Sequence, residues 1–105
     1  MEEVRTRFSV GDVIEHRLFG YRGVVLDVDP AFQLSDEWYA KMARSRPPRD
    51  APWYHVLVED SDAPRYVAEQ NLRPDPSGAK IRNPLLGDHF ASFVDGRYTA
   101  ITRSN

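Results

Sequence analysis

Apolar and polar positions alternate over short runs along most of this chain, and Gly, Pro, Asp or Ser interrupts the runs at close intervals. A period of two marks a strand with one covered face, so the pattern predicts a series of short strands. The first begins at Val10, Gly11, Asp12, Val13 and Ile14, and the glycine-bearing stretch 20–23 bends the chain into a hairpin. The second, 23–29, sets Val24, Leu26 and Val28 on one face and Val25, Asp27 and Asp29 on the other, until Pro30 withdraws a ladder donor. The third, 52–60, is the most strongly patterned, with Trp53, His55, Leu57 and Glu59 opposite Tyr54, Val56 and Val58. Its β-branched face suits the interior, which leaves Trp53 and His55 at or near the surface beside Tyr21 of the bend. A turn over 60–64 returns the chain as a fourth strand, 65–68, and Asn71, Leu72 and Arg73 close a small barrel.

Two stretches break the alternation. Over 31–50, Ser35, Asp36 and Glu37 can cap a helical turn or two carrying Trp38, Tyr39 and Met42, after which the run Arg44, Ser45, Arg46, Pro47, Pro48, Arg49 forbids regular structure. A connection this long in a small domain is expected to be mobile or functional. After the turn-forming stretch 74–78, Leu86, Phe90 and Phe93 have the spacing of one helical face, and Asp95 and Gly96 make a turn before residues 97–101. This tail is expected to dock on the barrel, since its apolar side chains would otherwise lie in water at roughly 1.5–3 kcal/mol each.

The 105 residues suit a single domain, 1–105, with its barrel core over about 7–73 and an extension over about 74–105. Eight prolines and six glycines favour turns and short strands, so the expected class is mainly all-β. With no Cys, a disulfide scaffold and a thiolate zinc site are excluded, and a reducing, cytoplasmic setting is the expectation. Glu2 and Glu3 stand where an export signal would be basic, and no long apolar run marks a membrane span. The formal net charge of -2 supplies no overall attraction to a polyanion, so any nucleic-acid contact must come from a local patch.

One such patch is Lys41, Arg44, Arg46 and Arg49 beside Trp38 and Tyr39, a pairing of cations with stacking surfaces that suits a nucleic-acid strand. Gln33, Gln70 and Asn71 are the amides available to hydrogen-bond a base edge. Tyr21, Trp53 and His55 form the candidate patch for a protein partner. His16, His55 and His89 lack the spacing of metal ligands, and His16 is expected to hydrogen-bond the neighbouring turn. Asp27, Asp29, Glu59 and Asp60 are read as solvated strand ends rather than a catalytic pair or cation site. Gly11, Gly20 and Gly23 serve backbone geometry, as no phosphate-cradling motif contains them. Neither a cofactor nor catalysis is expected.

The succession Phe8, Val10, Gly11, Val13, His16; Phe19, Gly20, Tyr21, Gly23, Val24, Val25, Asp27, Val28, Asp29, Pro30; Pro52, Trp53, Tyr54, His55, Val56; and residues 66–72 resembles the HspQ/YccV family, also called the hemimethylated DNA-binding domain. The resemblance covers about residues 7–73, and the tail is similar to an extension found in some members. It implies a small SH3-like barrel, often a homo-oligomer, acting as a heat-shock factor that tunes which client proteins the Lon protease degrades. It also implies binding of hemimethylated DNA. Where many members carry an acidic stretch between the second and third strands, this chain has the arginine run.

Overall fold

The computed structural model describes residues 5–101. Five strands, β1 (Val13–His16), β2 (Arg22–Asp29), β3 (Trp53–Val58), β4 (Arg65–Ala68) and β5 (Leu72–Pro74), form one antiparallel sheet in the order β4-β3-β2-β1-β5. A 3-10 turn, Glu69–Asn71, carries the chain from β4 at one edge to β5 at the other. The mainly-β expectation holds, but no ladder joins β4 to β5 and the barrel does not close. The turn redirects the chain before the two short edges can pair.

The sheet nonetheless wraps a core. Ile14, Val25, Tyr54, Val67 and Leu72, one from each strand, pack together with Phe8. Tyr54 is wholly buried, and its hydroxyl donates to Glu69 Oε2 at 2.6 Å while accepting the Phe8 amide at 3.2 Å. That closes the polar account of a large core side chain.

A second apolar cluster covers the outer face of the sheet, where Val13, Val24 and Leu57 meet Ile81, Phe90 and Tyr98 of the extension. The extension therefore docks as expected, although its secondary structure differs. Only α2 (Leu86–His89) is helical, and β6 (Phe90–Val94) and β7 (Arg97–Ala100) form a hairpin. Asp95 (φ 52°) and Gly96 (φ 80°) make its two-residue turn. The register slips between Phe90 and Ser92, so Phe90 and Phe93 share a face although three residues apart. A bulge thus imitates helical spacing.

The same device corrects the second strand. A register shift between Val25 and Asp27 swings Val28 to the inner core, leaving only Val24 and Leu26 of the predicted trio on the outer face. The 31–50 connection contains the expected short helix, α1 (Asp36–Met42), with Ser35 Oγ accepting the Trp38 amide at 3.0 Å. No helix among the described residues is long and apolar enough to cross a membrane.

Candidate binding groove

The long connection is anchored rather than loose, and Trp53 is its anchor. Its ring is buried, packed within 5.0–6.4 Å, centroid to centroid, of Phe32, Trp38, Tyr39 and Tyr66. Its indole N–H donates to Pro48 O at 3.0 Å, and the Tyr39 hydroxyl donates to Pro47 O at 2.7 Å. The expectation that Trp53 lies at the surface is therefore wrong. β3 is covered on both faces, by the core on one side and by the connection and extension on the other, and alternation cannot distinguish two covered faces.

This packing also divides the basic patch. The Arg49 guanidinium sits 4.9 Å above Phe32 and 5.0 Å above Tyr39 and pairs with Asp36. It belongs to the aromatic stack, whereas Lys41, Arg44 and Arg46 are exposed and make no ion pair among the described residues. Trp38 is half-buried, with its ring inside the cluster.

Between α1 and the β1–β2 turn lie two adjoining hollows of about 320 and 560 Å³. Phe19, Trp38, Met42, Tyr66 and Val67 line both. Tyr21 and His55 wall the larger one together, while Trp53 reaches only the smaller. His55 Nε2 lies 3.1 Å from Asp29 Oδ2, which also accepts the Tyr66 hydroxyl at 2.7 Å. The Arg65 guanidinium sits 5.4 Å from the centre of the Tyr21 ring.

Four of the large apolar side chains most open to solvent, Leu18, Phe19, Leu34 and Met42, stand around these hollows, with Phe19 75% exposed. Leu18 and Phe19 were not among the sequence-derived site residues. Their signal was present: two bulky apolar residues in a tight bend ahead of Gly20 have little chance of both facing a core. Among the described residues, no Asp or Glu lines either hollow.

His16 holds this rim in shape. Its Nδ1 accepts the amides of Leu18 and Phe19, each at 3.1 Å, and its ring stacks on Phe19 at 4.6 Å. The expected bond from His16 to the turn is present. Burial, and secondarily the Arg65 charge, lower its pKa from the ordinary 6.5. The unfolded chain therefore takes up the proton first as pH falls, so this contribution is complete above about 6.5 and is lost as pH drops through the lowered folded value. Urea midpoints measured between pH 7.5 and 5 should fall for the wild type by more than for His16→Phe. Equal slopes would remove His16 as the cause.

The other candidates disperse. Asn71 lines the smaller hollow, but Gln33 and Gln70 line neither, so the three amides do not converge. Asp27, Asp29 and His55 present ligand atoms within 4.8 Å of one another, with the Asp29 carboxylate already engaged by Tyr66 and His55. Glu59 and Asp60 instead pair with Arg22 and Arg82, so the four acids form no single site. His89 is exposed on α2. A family model described as hemimethylated DNA-binding protein YccV like matches residues 6–97.

Proposed function

The chain belongs to the YccV-like family, and from that premise we propose that it is a non-enzymatic binding module whose groove takes up an apolar segment of another protein. The observation that carries this reading is the set of Leu18, Phe19, Leu34 and Met42, exposed around a trough that no acid among the described residues lines. Such a contiguous apolar surface is the mark of a docking site. In the role implied by the HspQ resemblance, the partner is the Lon protease or one of its clients. Holding the two together raises their effective concentration and asks for no bond-making by the adaptor.

The test is the degradation rate of candidate clients by purified Lon, with wild type and with Phe19→Asp. The wild type should change at least one client's rate, and the variant should lose roughly tenfold in the protein concentration needed. Its melting should be nearly unchanged because the ring is mostly in water. A variant as effective as the wild type would overturn this use of the groove.

Binding of hemimethylated DNA is the second reading, favoured by the family description and by the exposed cations Lys41, Arg44 and Arg46, of which Arg44 lines the groove and none makes an ion pair among the described residues. With Arg49 committed to the aromatic stack, three phosphate contacts remain, for which log affinity should fall with log salt at a slope of about -2.7. Titrating hemimethylated and unmethylated duplexes over a salt series checks the slope and the preference. Absence of binding at low salt would remove this reading.

A further inference from the structure

We propose that the trough beside β4 is a strand-addition site for an extended peptide segment that carries alternating apolar side chains between acidic ends. The proposal rests on the binding-module reading and names the chemistry of its ligand.

Arg65, Tyr66, Val67 and Ala68 all contribute to the trough wall. Side chains of successive strand residues point to opposite faces, so a wall built from all four is the edge of β4 rather than one of its faces. β4 is an edge strand, with β3 as its one sheet neighbour among the described residues. Its register shows which groups are free. The Glu69 amide donates to Pro52 O, directly opposite, so the mutually bonded pairs beyond it are Val67 with Tyr54 and Arg65 with Val56. The Tyr66 N–H and C=O and the Ala68 N–H therefore point away from β3, towards the trough.

An unpaired row of this kind is a template for another strand. The extended edge is β4 itself, four residues or roughly 13 Å of backbone, with Ala63 and Pro64 of the preceding turn continuing the lining. Charge selects among possible occupants. Arg65 lines the larger hollow and Arg44 the smaller, and among the described residues no acid lines either, Asp29 lying behind His55 and Tyr66 and bonded to both, so carboxylates at the segment's ends complement the site. A second copy adding its own β4 would set another Arg65 against this basic rim. A nucleic-acid strand has no peptide N–H and C=O repeat to meet the β4 backbone.

The experiment is fluorescence anisotropy with a labelled ten-residue peptide, two Glu at each end and Val, Thr, Leu, Thr, Val, Thr between. Two further peptides carry N-methyl groups on alternate backbone nitrogens, one along each edge, and a fourth has Lys in place of Glu. The expected result is binding that weakens tenfold or more for one N-methylated edge and little for the other. The Lys-ended peptide should lose tenfold or more with the wild type and recover with Arg65→Glu. Equal affinity for both N-methylated edges would overturn strand addition. So would no peptide binding alongside Phe19-dependent binding of an eight-nucleotide single strand, or a Phe19-dependent dimer in sedimentation that the peptide does not dissociate. If Phe19→Asp alters client degradation while the N-methylated edges do not differ, strand addition alone fails. If Phe19→Asp alters nothing, the groove reading fails with it.

Discussion

Replacing Trp53 by alanine is expected to destabilise the protein by about 3–5 kcal/mol, the range for truncating a large aromatic in a packed site. The ring is 2% exposed and touches Phe32, Trp38, Tyr39 and Tyr66, and its N–H satisfies the Pro48 carbonyl. Alanine would remove the seat on which the 31–50 connection rests and leave that carbonyl to find water. The cost is a large share of the roughly 5–15 kcal/mol that holds a domain folded. Equilibrium urea unfolding followed by circular dichroism measures it, and a midpoint within error of wild type would refute the buried placement. The same substitution is therefore unsuitable for probing partner binding, because loss of a partner would report loss of the fold. Phe19 is the residue for that purpose.

Gly11→Ala should be nearly as damaging, by roughly 2–4 kcal/mol, through backbone geometry rather than lost packing. Gly11 has φ +95°, and a Cβ there would lie 1.9 Å from the Tyr98 carbonyl oxygen. The chain at Gly11 is also where the extension meets the sheet: its amide donates to Val25 O and its carbonyl accepts the Tyr98 amide, each at 2.9 Å. Relief of the clash requires the β6–β7 hairpin to move away, which would uncover Val13, Val24 and Leu57. Amide hydrogen exchange should show the Tyr98 N–H losing protection before the Val56 amide in the core. Full protection at Tyr98 with an unchanged melting temperature would count against this account of the docking.

Both results bear on how far the sequence could be read. The five strands of the main sheet, the short helix capped by Ser35, the docking of the extension, the turn at Asp95 and Gly96 and the bond from His16 to its neighbouring bend were legible from local pattern, whereas β6 was read as a helical face. The errors have separate physical causes. Val28 and the Phe90–Phe93 pair were misassigned because one extra residue in a strand turns a period of two into a step of three. Trp53 was misassigned because the 31–50 connection folds over its part of β3, a covering that alternation along the strand does not reveal. The basic patch was legible as composition, yet the capture of Arg49 by Phe32, Tyr39 and Asp36 depends on how the connection folds back.

Local pattern, chain chemistry and family membership were thus set by the amino-acid order alone, since hydrogen-bonding periodicity and turn preference act over a few residues. The groove was decided by tertiary structure. Leu18 and Phe19 come from one bend, Trp38 and Met42 from a helix some twenty residues on, and Tyr66 and Val67 from an edge strand further still. Only the curl of the sheet, with β4 at its edge, brings those surfaces to face one another with no acid among the described lining residues.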